Sequence, residues 1–313
     1  FAFAAAVRLS RGALPPEARF AAPPRVLLVW STANGFDPVA LALSRRQDHP
    51  ALRTVILDDG TDAARRRAVQ NFAIRHNNVE VFFAEPGGMG LNALLQGRDD
   101  YDFCAFAGED VMLPSDFVRR ALDYFAEGDC GGVQARIAAV GDGLSARVSA
   151  VASSVSAAER AVREQYGADG LCTLGVLLSR ACIEAVGGFP PVGEPLPSFA
   201  EEAKGAGFSL RFAPDIAGVR APRSLPALRA EHRRLAASAR AYAHICAEAG
   251  SRARSGGAER ADRFFAWMER AACPLTALAS LCAAALASAA FFVWPAVLLV
   301  LLTGLLCFVS AAA

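Results

Sequence analysis

The last 43 residues of the chain, Ala271 to Ala313, contain no charged side chain. A bilayer core of about 30 Å requires roughly 20 apolar residues per helical span, so a stretch of this length predicts two membrane spans. Trp294 and Pro295 interrupt the stretch and indicate a turn between the spans; one long, tilted span is the alternative. Such a tail excludes an ordinary water-soluble fold for the whole chain.

The segments that flank the globular part also have membrane character. Residues 250–270 are expected to form a linker and a helix in the membrane interface, whose arginines place it on the cytoplasmic side. Residues 1–10 resemble the end of another span, residues 11–24 form a proline-rich linker, and the chain is expected to begin inside a longer protein. We therefore expect an integral membrane protein of a bacterial inner membrane, with its globular domain in the cytoplasm. The interface helix sets four large apolar residues among arginines: Phe264, Phe265, Trp267 and Met268.

Residues 25–249 alternate short apolar runs with helical stretches. This alternation predicts an α/β domain with an open, mainly parallel sheet flanked by helices, in which ligands bind at the carboxyl ends of the strands. The predicted strands are Val26–Trp30, Thr54–Leu57, Val79–Phe83, Tyr101–Ala107, Gly132–Ile137, Leu174–Leu178 and a final short strand at Phe208–Phe212. The predicted helices are Val39–Arg46, Asp62–Arg75, Leu91–Gln96, Ser145–Gln165 and Leu225–Ala249.

Charge and cysteine usage exclude several classes of protein. Thirty-two basic and 31 acidic side chains leave a net charge of +1, so no overall positive field attracts nucleic acid. A phosphate-binding loop that requires Gly-Lys is excluded because the single lysine, Lys204, follows alanine. The eight cysteines show no C-x-x-C spacing and indicate buried free thiols in a reducing compartment.

Acidic residues follow two of the predicted parallel strands. Asp58 and Asp59 end the second strand, and Glu109 and Asp110 follow the fourth. The first pair could also be a polar turn in which Asp62 caps the next helix. Two acidic strand ends at one edge of a sheet, however, predict a site for Mg²⁺ or Mn²⁺ that bridges a nucleotide diphosphate.

A glycine-rich segment offers a second interpretation. Gly88 to Ala93 fits the G-x-G-x-x-A pattern of dinucleotide-binding folds, with Glu109 about 20 residues further on. We rank this alternative low, because it accounts for neither Asp58 and Asp59 nor the Gly187-Gly188-Phe189 segment.

Several short segments carry a resemblance that covers about Arg25 to Arg240 and the apolar tail. They are Val26–Asn34, Asp58–Gly60, Gly90–Asn92, Phe106–Phe117, Gly175–Phe189, Ala206–Asp215 and Glu231–Leu235. In this order they resemble motifs of the membrane-bound, processive-type family 2 glycosyltransferases, which include cellulose, chitin and hyaluronan synthases. The most specific match is GVLLSRACIEAVGGF, at residues 175–189.

The resemblance implies a GT-A type domain that transfers a sugar with inversion from a nucleotide diphosphate donor, usually a uridine one. It implies Mg²⁺ or Mn²⁺ as cofactor, a glycan or lipid-linked acceptor, contact with membrane lipid, and possible further subunits of a polysaccharide synthesis complex. By this resemblance, Asp110 and Glu109 are expected to bind the metal, and Glu194 is expected to be the catalytic base. The residues expected to bind the donor are Asn34, Asp58, Asp59, Asn92 and Arg234.

The sequence also departs from the family pattern. Gly108 replaces the first acid of the Asp-x-Asp motif, and Pro195 and Leu196 occupy the expected positions of the Glu-Asp base, which leaves Glu194 as the nearest carboxylate. Leu235 replaces the tryptophan of the Gln-x-x-Arg-Trp motif. The alternative is therefore a catalytically degenerate relative with a structural or regulatory role in a polysaccharide synthesis or export complex; we favour the active enzyme.

Overall fold

The structure is a computed structural model. It describes residues 15–18, 20–32, 35–58, 62–84, 90–108, 111–126, 128–165, 175–189 and 197–221, together with residues 226 and 303. Within these residues, eight strands form one sheet in the order β3-β2-β1-β4-β7-β6-β8-β5.

The first half of the sheet contains parallel strands only. The order β3-β2-β1-β4 places the first strand in the interior, between β2 and β4. The strands are β1 (Val26–Ser31), β2 (Leu52–Asp58), β3 (Val79–Phe83) and β4 (Phe103–Gly108). The connecting helices are α1 (Pro38–Ser44), α2 (Ala63–Arg75) and α3 (Gly90–Leu95).

Local signals set where two of these helices begin. Asp37 accepts hydrogen bonds from the backbone N–H groups of Val39 (2.8 Å) and Ala40 (3.2 Å), and Pro38 occupies the first turn of α1. Asp62 caps α2 by accepting from Ala64 N at 2.8 Å, which confirms the cap predicted from the sequence.

The second half of the sheet is mixed, so the expectation of a mainly parallel sheet holds for the first half only. β7 runs antiparallel to both β4 and β6, β8 is parallel to β6, and β5 is antiparallel to β8. The strands are β5 (Val111–Met112), β6 (Cys130–Ala139), β7 (Val176–Ser179) and β8 (Ser209–Arg220). The helices are α4 (Phe117–Asp123), α5 (Leu144–Gln165), α6 (Arg180–Val186) and α7 (Pro197–Gly205).

The final strand is longer than the sequence predicts. β8 extends to Arg220 rather than ending at Phe212, and it contains a bulge. Ala135 pairs with Ala213, whereas the next residue, Arg136, pairs with Ala217, so three residues of β8 have no partner on β6. The bulge contains a proline, Pro214, which breaks the pattern by which strands are recognised in a sequence.

Apolar residues cover both faces of the sheet. On one face Trp30 and Ile56 of the sheet are buried in one core with α1, α2 and Phe117 of α4. On the other, Phe106, Leu178 and Phe199 pack with α3, α6 and α7. Strands covered on both faces are apolar throughout, which is why β1 and β4 read as uninterrupted hydrophobic runs.

Three cysteines lie in the described residues, and all are free and buried, as predicted: Cys104, Cys130 and Cys182. Burial raises the pKa of Cys182 to about 11, so this thiol is unreactive at neutral pH.

Apart from Pro226 and Thr303, the predicted membrane segments, the interface helix within 250–270 and the helix at Leu225–Ala249 lie outside the described residues. None of the described helices combines the length and apolar character needed to cross a bilayer.

Candidate functional site

The strands that precede the two predicted acidic pairs, β2 and β4, end on either side of β1 at one edge of the sheet. Ser31, the last residue of β1, pairs with Leu57 on one side and with Gly108 on the other. Leu57 and Gly108 are therefore two strand spacings apart, or about 10 Å. Asp58 follows the first of these residues and Glu109 follows the second, so the sequence continues into an acidic pair on each side of β1.

Asp58 is fully buried at the end of β2. Its Oδ1 accepts a 2.7 Å hydrogen bond from the Thr32 hydroxyl, which is itself buried just beyond β1. Two guanidinium groups of the first turn of α2 are close to the carboxylate: Arg65 Nε lies 3.3 Å from Oδ1 and Arg66 Nε lies 3.7 Å from Oδ2. The carboxylate therefore links the ends of β1 and β2 to α2, a contact that keeps a buried charge paired.

A flat cationic and aromatic surface adjoins this carboxylate. The Arg66 guanidinium lies 5.1 Å from the ring centroid of Phe83, and Phe83, which pairs with Asp58 in the sheet, is 38% exposed. The contact is a cation–π interaction between the guanidinium and the ring. The sequence analysis did not select these residues, because an arginine in an arginine-rich helix gives no separate signal.

Asn92 joins two distant segments of the chain. Its Nδ2 donates to Phe189 O and its Oδ1 accepts from Phe189 N, both at 2.7 Å, so both ends of the amide contact one peptide segment 97 residues away. Gly188, at φ 103°, lies so close that a Cβ there would be 2.8 Å from Asn92 Oδ1. The two motifs at Gly90–Asn92 and Gly187–Phe189 are thus parts of one structural unit.

Phe189 is fixed by two further aromatic contacts. It stacks on Phe199 of α7, with ring centroids 5.0 Å apart and planes at 6°, and meets Phe106 of β4 edge-on at 5.0 Å. The positions that precede and follow the segment containing Glu194 are therefore held against the same face of the sheet.

Two arginines that sequence reasoning missed reach the same edge. β6 runs parallel to β4, because both are antiparallel to β7. Gln134 and Phe106 share the partner Val176, so Arg136 is level with Gly108 at about 10 Å across the sheet. Arg136 Nε is buried and finds no hydrogen-bond partner among the described residues.

The second of these arginines is Arg220. It pairs with Val111, the residue directly after Asp110 in the sequence. Arg220 lies in the part of β8 beyond the predicted strand end at Phe212, whereas Arg136 lies within the predicted strand Gly132–Ile137 but was not selected as a site residue.

A polar cleft of about 380 Å³ lies between α4 and β8. Its centre is Asp215 of the bulge, which accepts hydrogen bonds from Arg120 Nη2 (2.6 Å) and from the Tyr124 hydroxyl (2.5 Å). Arg120 also contacts Asp116 at 3.4 Å. These contacts fix the bulge of β8 on α4 and on Tyr124, so they stabilise the fold.

Most of the predicted site residues lie outside the described residues: Asn34, Asp59, Glu109, Asp110, Glu194 and Arg234. Their predicted roles stay predictions. Among the described residues no three His, Cys, Asp or Glu side chains cluster as a metal site would require. For Asp58 and Asn92 the structure shows internal contacts, and a direct contact of either with a donor also stays a prediction.

The fold identifies a structural class. The parallel order 3-2-1-4 and the antiparallel strand beside β4 form an open, mixed α/β sheet that resembles the fold of the GT-A-type glycosyltransferases. The structure disfavours the dinucleotide alternative, because its glycine-rich segment follows β3 at the sheet margin, whereas the fingerprint of that fold follows the first strand.

Comparison with known proteins names particular structures of this class. The mannosyltransferase PcManGT from Pyrobaculum calidifontis, solved with GDP-Man and Mn²⁺, superposes with a TM-score of 0.67 at 19% identity, over 98% of this chain and 87% of that one. S. aureus TarS 1-349, solved with UDP-GlcNAc, gives a TM-score of 0.46 at 16% identity, over 64% of this chain and 59% of that one. No family model and no curated protein matches the sequence.

Proposed function

We propose that this chain is a membrane-attached glycosyltransferase that moves a sugar, with inversion, from a nucleotide diphosphate donor to a glycan or lipid-linked acceptor. The observation that supports this most directly is the placement of the two acidic strand ends on either side of β1 in a GT-A fold. A fold alone does not define an activity, so the assignment depends on this edge.

The proposed donor site follows from the geometry of the edge. The base and ribose would lie over the ends of β1 and β2, beside Asp59 and the Arg66–Phe83 surface, with Asn34 as a further contact. The diphosphate would extend toward the end of β4. Arg136 and Arg220 reach that edge, and Arg234 is the cation predicted from the sequence; charge-assisted hydrogen bonds from guanidinium groups suit phosphate oxygens. We propose a uridine diphosphate sugar as donor.

The donor set at this edge fits a hard divalent cation. Carboxylate oxygens from Glu109 and Asp110, together with diphosphate oxygens, are the ligands that Mg²⁺ and Mn²⁺ prefer. When bound, such a cation would offset the negative charge that develops on the leaving diphosphate.

The chemical step needs a base on the acceptor side. The acceptor hydroxyl attacks the anomeric carbon from the face opposite the diphosphate, the bond from that carbon to the diphosphate breaks, and Glu194 takes the hydroxyl proton. The paired contacts of Asn92 with Phe189, and of Phe189 with Phe199, hold the positions on both sides of this glutamate. Asn92 and Asp58 are thus expected to position the site from beneath.

A second candidate function is a catalytically inactive subunit of a polysaccharide synthesis or export complex. The observation that favours it is Gly108, which ends β4 as a buried residue where the family pattern has the first metal-binding acid.

One experiment separates the two candidates. Membranes that contain the full chain are incubated with a panel of labelled uridine and guanosine diphosphate sugars and Mn²⁺, and hydrolysis and transfer are measured. We expect activity with one donor, its loss in Asp110→Asn, and its retention in Asp129→Asn, an exposed acid before β6 at the opposite edge. If neither hydrolysis nor transfer occurs with any donor, the proposed enzyme activity is wrong and the inactive subunit is the better candidate.

A further inference from the structure

The first two turns of helix α5 expose their large apolar side chains to solvent and bury small residues, the reverse of an ordinary surface helix. The residues it buries against the sheet are small: Ala146 and Ser149 are 2% and 0% exposed. Leu144 and Val151 point outward and are 71% and 64% exposed. A surface helix normally buries its large apolar residues and presents polar ones.

The outward apolar residues form a single row, which we term the outer stripe of α5. Val140 precedes the helix and is 59% exposed, and Val148 is 43% exposed. Positions 144, 148 and 151 follow the i, i+4, i+7 spacing of one helix face, over about 10 Å of helix. The outer stripe consists of Val140, Leu144, Val148 and Val151.

Helix α2 of the same domain shows the ordinary arrangement. Val69 and Phe72 are buried, whereas Arg66 is partly exposed to solvent. Its exposed apolar residue, Ile74, stands alone at 81% exposure. Single exposed apolar residues are common, but a contiguous row indicates a surface that contacts something apolar.

Charge and chain path indicate what covers the stripe. Between Leu144 and Ala158 the one charged residue is Arg147, so this part of the helix presents no carboxylate to an anionic surface; the one nearest the outer stripe in sequence, Asp142, lies in the turn before the helix. The backbone N–H of Val140 donates to Arg220 O at 3.1 Å. One residue after Arg220 the chain continues into residues 222–313, which end in the 43 uncharged residues.

We propose that the outer stripe of α5 rests on the bilayer surface, with its Val and Leu side chains at the boundary between headgroups and acyl chains. The proposal rests on the membrane attachment included in the proposed function and is independent of sugar transfer. It assigns the domain a second membrane contact, beside the C-terminal tail, at the start of the helix that leaves the carboxyl edge of β6.

Photocrosslinking identifies the occupant directly. A diazirine-bearing amino acid replaces Val151 in the full chain, the protein is reconstituted in phosphatidylethanolamine–phosphatidylglycerol vesicles, and adducts are identified by mass spectrometry after irradiation. The matched control carries the same amino acid at Ile74. We expect lipid adducts at position 151 in several-fold higher yield than at position 74. Equal yields, or adducts to a second copy or to residues 222–270 in place of lipid, would overturn the proposal.

Two further measurements separate this proposal from the proposed function. Alkaline carbonate extraction shows first whether the chain is membrane-embedded; release of the chain overturns both proposals. If the chain is retained, the lipid adducts test whether the outer stripe contacts the bilayer. The nucleotide-sugar panel tests separately whether the chain is a glycosyltransferase. Val148→Asp should lower the lipid adduct at position 151 several-fold, and an unchanged yield would count against the docking surface.

Discussion

The two halves of the sheet are built by different rules. In β1 to β4, three parallel pairings run in continuous register and each strand follows the previous one through a short helix. In β5 to β8, antiparallel pairs, a 22-residue helix and a three-residue bulge bring together segments distant in sequence. Local connections thus fix the edge proposed to bind the donor, whereas long-range contacts fix the half proposed to carry the base and meet the acceptor.

The largest effects are expected at the carboxyl ends of the strands in the first half of the sheet, where the donor is proposed to bind. Asp59→Ala and Asp110→Ala should each abolish donor binding and leave the protein membrane-embedded, because each removes a carboxylate from the edge that holds the nucleotide and its cation. Titration with uridine diphosphate and Mn²⁺ measures this, with Asp129→Ala as control. If both variants bind as tightly as the wild-type protein, the donor site lies elsewhere.

In the second half, Glu194→Gln should reduce turnover by about 10²- to 10⁴-fold, the usual contribution of a general base, and leave donor affinity unchanged. Turnover and donor binding are measured separately. Glu202→Gln, an exposed residue of α7, is the matched control. Wild-type turnover in Glu194→Gln would leave the base unassigned and weaken the match of this segment to the family pattern.

Asn92→Ala tests the junction of the two halves. Loss of both hydrogen bonds to Phe189 leaves a peptide N–H and a carbonyl without their partner, so we expect the free energy of unfolding to fall by about 3 kcal/mol. Thermal or denaturant unfolding measures this, and Asn77→Ala, at an exposed turn, provides the comparison. A loss no greater than that of Asn77→Ala would mean that the halves are joined by other contacts.

Thr32→Val should give the smallest of these effects, a loss of stability that concerns contacts within the first half of the sheet only. It removes the hydroxyl that donates to the buried Asp58 carboxylate, and hydrogen bonds to charged groups contribute about 2 kcal/mol. Thr32→Ser keeps the hydroxyl and should retain most of the stability. If the valine and serine variants unfold alike, the hydroxyl contributes little and the two arginines of α2 suffice for the carboxylate.

The same contrast explains what the sequence could predict. β1 was predicted to within one residue, because a strand covered on both faces is apolar throughout. β3 was predicted residue for residue although it is an edge strand that mixes partly buried and exposed positions. The antiparallel direction of β7 was not predicted, because a connection long enough to contain α5 is typical of parallel neighbours, whereas here it joins antiparallel ones. Arg136 gave no signal in a chain where nearly every basic residue is arginine.

Within the candidate site, the sequence did not predict the contacts between the motifs. The motifs at Gly90–Asn92 and Gly187–Phe189 were recognised separately, but their mutual hydrogen bonds depend on tertiary packing that no spacing reveals. Asp58 was selected as a ligand for its position at a strand end, whereas its environment is internal.

The number of residues in the bulge at Pro214–Ile216 determines the side of the sheet on which the later side chains of β8 lie. Side chains alternate between faces of a strand, so a change of one residue reverses every side chain that follows. A related chain with two or four residues in this bulge would present the residue equivalent to Arg220 to the opposite side of the sheet. Insertions and deletions at this position could therefore redirect a cation without any substitution at the cation itself.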